Sequence, residues 1–190
     1  MSRRSKRVVV ARENKHSQGV RFVERDQPSL ETVLSSKKDP FLLVLDGVQD
    51  PHNLGACLRT ADGAGVDAVI APKNRAVSIT ETVARISCGA VESVPFIRVV
   101  NIAQTLETLR SNGVRMIGTA DGAGSLSLYD VDFKGPVALV MGAEEKGLRR
   151  LTQEKCDEVV RIPMEGRVDC LNVSVATGVC LYEAVRQRLS

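Results

Sequence analysis

The chain has no tryptophan, and its aromatic residues amount to only 3%. So few rings argue against the base-stacking platforms of RRM and OB modules. Any nucleic-acid contact would then rest on phosphates and ribose hydroxyls. Histidine occurs twice, as His16 and His52, which leaves too little for a histidine metal cage. No GxSxG elbow is present, and a Ser-His-Asp triad would have to use one of those two histidines. Cysteine is odd in number (Cys57, Cys88, Cys156, Cys170 and Cys180) and never spaced CxxC, so neither a disulfide framework nor a zinc site is indicated. Four of the five read as small buried hydrophobes, and Cys170, in a polar loop, is the exception. No apolar run approaches the roughly 20 residues that span a bilayer. The run Val8–Ala11 is too short for a secretory signal. The expectation is a cytoplasmic protein without a membrane partner or a metal. Phosphate fingerprints fail too: no GxGxxG follows the first strand pattern, and Leu148 stands where Walker-A spacing from Gly142 and Gly147 requires Lys.

Charge is unevenly placed. Eight Lys/Arg against Glu13 and Glu24 give residues 1–25 a net +6, so the rest of a chain of net +3 carries −3. A basic arm on a mildly acidic body suits a polyanion, or else serves as a solubilising tail. Residues 1–40 show no sustained period apart from a short helical pattern at Leu30–Leu34. They read as a basic extension or linker, with the folded domain at 41–190.

From Phe41 on, strand and helix patterns alternate. Strands are expected at Phe41–Leu45, Val66–Ala71, Val94–Val99, Val114–Thr119, Val137–Met141 and Glu158–Ile162. Helices are expected at Leu54–Ala64, Thr80–Ser87, Asn101–Arg110, Leu148–Glu154 and Val173–Arg188, the last with Val175, Val179 and Tyr182 on one side. Continuous apolar strands at this pitch predict an α/β fold, a mostly parallel sheet flanked by helices.

Three strand-end loops carry the chemistry, since ligands of open α/β sheets sit at the carboxyl ends of strands. The first, Leu45–Gly55, holds Asn53, a natural N-cap, with Arg59 further along the helix. Arg59 is either a solvated helix residue or a planar fork for a phosphate. The second, Met141–Leu148, has glycines that admit close backbone approach. Its Glu144 can accept hydrogen bonds from a ligand or simply open a helix. The third is IPMEGRVDCLNVSVA (162–176), a strand end, a polar loop and a helix start at Asn172. Its helix amides point toward the same space.

In this order the loops resemble the three motifs of the SpoU branch of the SPOUT RNA methyltransferases, over roughly residues 41–188. The tail LNVSVATGVCLYEAVRQR is especially similar to the TrmH-like bacterial group that methylates a guanosine of 23S rRNA. Lys15–Val20 resembles the join between an N-terminal RNA-binding domain and the catalytic domain there, so the chain is expected to correspond to the catalytic domain.

The resemblance implies a C-terminal deep trefoil knot, a topology that ordinary connection rules exclude. It also implies a homodimer packed through the knot. The implied cofactor is S-adenosylmethionine, bound by Gly142, Ile162 and Leu171 through backbone contacts, with Thr119 and Met164 lining the pocket. The implied catalytic residues are Asn53, Arg59, Glu144 and Asn172. The implied reaction is methyl transfer to the ribose 2′-hydroxyl of a guanosine in the peptidyl-transferase region of large-subunit rRNA. Alternatives are a tRNA ribose 2′-O-methyltransferase and a non-catalytic RNA-binding or ribosome-assembly factor. Family members often carry Ser where this chain has Cys170, a weaker hydrogen-bond donor.

Overall fold

A computed structural model of the chain describes residues 7–13, 20–26, 28–122, 124–143 and 147–190, with side chains from 28 onward. Residues 15–19 of the expected domain join, and Glu144, lie outside the described residues.

The N-terminal segment is not featureless. Strands β1 (Arg7–Glu13) and β2 (Val20–Asp26) pair antiparallel from Arg7↔Asp26 to Glu13↔Val20. The β-branched triplet Val8-Val9-Val10 favours this pairing, although it is too short to show alternation. Helix α1 (Leu30–Ser36) follows, its first turn capped by Ser29, whose hydroxyl accepts from the Thr32 amide at 3.2 Å.

The body is a seven-stranded sheet in which each neighbouring pair is parallel. Its strands are β3 (Phe41–Asp46), β4 (Ala68–Pro72), β5 (Phe96–Val99), β6 (Arg115–Thr119), β7 (Leu126–Ser127), β8 (Val137–Gly142) and β9 (Glu158–Arg161). The order across the sheet is β5-β4-β3-β8-β6-β9-β7. The first three strands step outward in one direction, and β6, β8 and β9 then lie on the other side of β3. Loops after β3 and β8 therefore diverge where the winding reverses, the place an open α/β sheet leaves a crevice.

Alternation along β3 shows how the two faces are filled. Phe41, Leu43 and Leu45 enter a core shared with α2 (Pro51–Gly63), α3 (Glu81–Ile86), α4 (Ala90–Ser93) and α7 (Val173–Arg188). Leu42 and Val44 enter the opposite core with α1 and α5 (Ile102–Ser111). Helix α2 buries Leu54, Cys57, Leu58 and Ala61, the stripe its spacing predicts. Thr80 and Asn101 cap α3 and α5 as expected, accepting from the Val83 and Gln104 amides at 3.3 and 3.2 Å.

Four features differ from the sequence expectations or go beyond them. Asn53 is not a cap: α2 begins at Pro51 with Asp50 as N-cap, accepting from the His52 amide at 2.9 Å. Proline at the first helical position makes the earlier start favourable. Second, Val175 and Tyr182 are 52% and 53% exposed. The buried stripe of α7 is instead Val173, Thr177, Cys180, Leu181 and Ala184. Third, Cys88 is exposed; it follows α3 at φ 51°, in a turn, not in a core-facing helix position. Fourth, three short elements have no counterpart in the periodicity, β7, α4 and a 3-10 turn at Leu128–Asp130, because two to four residues are too few to show a period.

Candidate functional site

The carboxyl ends of β6, β8 and β9 surround a cavity of about 420 Å³. Its wall is built from all three strand ends: Thr119 to Asp121, Met141 to Ala143, and Val160 to Ile162. The opposite wall is the third loop and the start of α7, through Met164, Asp169, Cys170, Leu171, Val173 and Ala176. Thr119, Gly142, Ile162, Met164 and Leu171, five residues scattered over 53 positions of sequence, thus face one space.

The second loop is shaped by backbone pairing. Ala143 and Gly147 exchange two hydrogen bonds, Ala143 N to Gly147 O at 3.0 Å and Gly147 N to Ala143 O at 2.9 Å. This pins both ends of the segment that contains Glu144. Gly147 sits at φ 58°, a left-handed conformation that glycine adopts without strain. Gly142 is demanded for a different reason. A Cβ there would overlap the Gly147 carbonyl and the Leu148 amide nitrogen, so any side chain would drive the two limbs apart. Thr119 ties the next strand in, its hydroxyl reaching Val140 O at 3.3 Å.

Asn53 and Asn172 lie 119 positions apart and touch. The Asn172 Nδ2 donates to Asn53 Oδ1 at 3.1 Å. Asn172 is the N-cap of α7, its Oδ1 accepting from the Ser174 amide at 2.9 Å and the Ser174 hydroxyl at 2.7 Å. One amide side chain therefore starts the helix with its oxygen and fixes the first loop with its nitrogen. Asn53 is 7% exposed, while Asn172 reaches solvent. The pair stands at the cavity margin, since Leu171 and Val173 on either side of Asn172 line it.

Arg59 is not brought to this pair. Six residues along α2 place it about 9 Å further along the axis and some 240° around it from Asn53, and it is exposed and absent from the cavity wall. Glu144 lies outside the described residues.

Sequence reasoning missed two carboxylates on the wall, Asp121 and Asp169. Asp121 had a usable signal, as it lies two residues past the carboxyl end of β6. Asp169 had none, being one of three charges in a loop without periodicity. Cys170 lines the cavity and is exposed. Beneath it in chemistry are Cys156 and Cys180, whose thiols burial pushes up to about 12, Asp157 adding to the shift at Cys156.

Residues 40–182 match the family described as SpoU rRNA Methylase. The chain belongs to this family. Among its curated relatives, the 23S rRNA (guanosine-2′-O-)-methyltransferase RlmB of Ralstonia nicotianae is 66% identical over 149 residues, covering 78% of this chain and 59% of that protein. The RlmB of Escherichia coli is 55% identical over 170 residues, or 90% of this chain and 68% of that one. The chain thus spans roughly three fifths to two thirds of these relatives. Among solved structures, the SpoU methyltransferase AviRb from Streptomyces viridochromogenes superposes with a TM-score of 0.80 at 30% identity, over 90% of this chain and 67% of AviRb. An AdoMet-bound rRNA methyltransferase from Sinorhizobium meliloti gives 0.78 at 34% identity, over 89% and 64%. The cavity and the Asn53–Asn172 contact join residues of all three strand-end loops.

Proposed function

We propose that the chain transfers the methyl group of S-adenosylmethionine to the ribose 2′-hydroxyl of a guanosine in the peptidyl-transferase region of 23S rRNA. The observation that carries this reading is the cavity at the β6, β8 and β9 ends with the Asn53–Asn172 pair at its margin. The substrate class follows the relatives' names at 66% and 55% identity, and the cofactor follows the AdoMet-bound SpoU neighbours.

The wall suits that cofactor. Met141, Leu148, Val160 and Ile162 offer apolar contact for a purine. Backbone groups at Gly142, Ile162 and Leu171 give it hydrogen bonds, and Thr119 and Met164 complete the lining. Asp121 and Asp169 complement its positive charges. When bound, the cofactor supplies a methyl group already activated as a sulfonium.

The chain's own residues then have to align a weak nucleophile and exclude water. Asn53 and Asn172 orient the ribose and hold the first and third loops together. Glu144, outside the described residues, keeps the role the resemblance implies for it, a negative charge that complements the cofactor. Arg59, exposed on α2 and away from the cavity wall, positions a substrate phosphate; its guanidinium does not deprotonate in proteins and so is no base.

The same reading includes the trefoil knot and a homodimer. In support of the knot, the chain leaves β9 on one side of β6 and returns as α7 against α2, where the Cys57 thiol lies 3.6 Å from the Thr177 hydroxyl. In support of a dimer, α7 turns Val175 and Tyr182 outward, apolar surface that a second copy would cover.

The test is transfer of label from S-adenosylmethionine to undermodified 23S rRNA and, separately, to undermodified tRNA. Labelled rRNA supports the proposal and labelled tRNA alone redirects it to the tRNA reading. No transfer to either, with cofactor bound, favours the non-catalytic binding factor.

A further inference from the structure

Among the described residues, one carboxylate outside the cavity is buried more deeply than Glu183. Asp46, the last residue of β3, is 0% exposed. Its Oδ2 accepts from the Thr152 hydroxyl at 2.6 Å. Its Oδ1 has no hydrogen bond and faces Arg149 Nε at 3.6 Å. A buried carboxylate oxygen left without a donor is costly, so the Arg149 charge is what makes this burial tolerable.

Arg149 is the N-cap residue of α6 (Arg150–Gln153), directly after the second loop, and its side chain is 45% exposed. Its Nη2 lies 3.5 Å from the point a Cβ on Gly47 would occupy, and the Arg75 carbonyl lies 3.9 Å from the same point. The guanidinium therefore sits over the start of the first loop, six residues before Asn53, with the loop of Lys73 and Arg75 alongside. Both of those residues are exposed. Among the described residues, the Nη nitrogens of Arg149 donate to no protein acceptor. Among the described residues, the carboxylate paired with Arg149 is Asp46, buried beneath it.

From this geometry we infer that Arg149, aimed from below by Asp46, docks a backbone phosphate of the RNA substrate next to the first motif loop. The inference rests on the proposed RNA substrate. The Asp46 charge draws the guanidinium down from its Nε side at 3.6 Å, which leaves the two Nη groups to meet phosphate oxygens as a planar fork. Holding it in place before binding removes part of the ordering cost.

The competing role is simple neutralisation of Asp46, and three variants separate the two: Arg149→Met, Arg149→Lys and the double variant Arg149→Met with Asp46→Asn. Filter binding to an undermodified 23S rRNA fragment is measured across salt concentrations, beside titration with S-adenosylmethionine. For Arg149→Met we expect RNA binding weaker by about tenfold, a salt slope shallower by about one, and unchanged cofactor affinity. The double variant keeps the same defect, because removing the Asp46 charge does not restore a phosphate ligand. Arg149→Lys keeps the counter-charge, and with it the fold, but still weakens RNA binding for want of the fork.

Recovery of wild-type RNA affinity in the double variant overturns the inference. So does Arg149→Lys binding like wild type, or an unchanged salt slope. Because RNA binding is read without turnover, a wild-type protein that binds RNA but transfers no methyl refutes the methyltransferase proposal and leaves the Arg149 result standing by itself.

Discussion

Gly142→Ala is the sharpest test of how the cavity is built. The added Cβ would overlap the carbonyl carbon and oxygen of Gly147 and the Leu148 nitrogen, all backbone atoms. Carbon atoms in ordinary contact sit about 3.5–4.0 Å apart, so the returning limb of the second loop must retreat by more than about 1 Å. That limb cannot swing away alone, since Gly147 is hydrogen-bonded both ways to Ala143 at 2.9 and 3.0 Å. Overpacking of this kind costs about 1–3 kcal/mol. If the loop must return to its place for the cofactor, the dissociation constant rises by about 5–150-fold. If the loss falls on the fold, melting drops by about 2–4 °C per kcal/mol. Calorimetric titration with S-adenosylmethionine and a thermal melt read both. Gly166→Ala is the control, because a Cβ at Gly166 meets nothing within 4 Å. A Gly142→Ala protein that melts like wild type and binds cofactor within twofold would refute the reasoning.

Other residues give equally direct tests. Asn172→Ser keeps a good N-cap but loses the amide that reaches Asn53 at 3.1 Å; the unfolding free energy from urea titration should fall by no more than about 0.5 kcal/mol, while methyl transfer falls at least tenfold, and retained transfer would remove the pair from alignment. Arg59→Lys should abolish transfer with cofactor binding intact, and wild-type turnover would contradict a phosphate-positioning role. Iodoacetamide should modify exposed Cys88 and Cys170 well before buried Cys57 and Cys180 or Cys156, the last two being pushed up to about 12. Bound cofactor should protect Cys170 alone, as peptide mass spectrometry would show. Finally, Glu183 is held below its ordinary value, first by the bidentate Arg186 and then by Gln187. A lowered carboxyl contributes stability that is present above the unfolded Glu value of about 4.3 and lost as pH falls through the folded one. Urea midpoints from roughly pH 3 to 6 should therefore be flatter for Glu183→Gln than for wild type.

Much of the fold is legible in the sequence because a parallel sheet covered on both faces leaves unbroken apolar runs. Phe41–Leu45 and Val137–Met141 became β3 and β8, each fully buried. Caps at Thr80 and Asn101, and the start of a helix near Asn172, were readable for a local reason, a side-chain acceptor just ahead of a helical period. Where several polar residues competed, local reasoning chose wrongly: Asp50 ahead of Pro51 outcompeted Asn53. The outward turn of Val175 and Tyr182 was illegible because α7 has small or apolar residues on several sides, and packing on α2 and β8 decides which side is covered. At the site, the loops were readable one by one as strand ends. The contact between Asn53 and Asn172 was not, since nothing local links positions 119 apart. Asp46 escaped notice because a carboxylate ending an apolar strand looks like the start of a loop; only its burial against Thr152 and Arg149 shows otherwise.

The most direct measurement is the chemical position of the transferred methyl. Undermodified 23S rRNA is incubated with the protein and methyl-labelled S-adenosylmethionine, digested to nucleosides and read by mass spectrometry. A ribose-methylated guanosine, absent when Asn53 or Asn172 is replaced, is the result this account predicts. Label on a base, or no label while the cofactor binds the cavity, would contradict it.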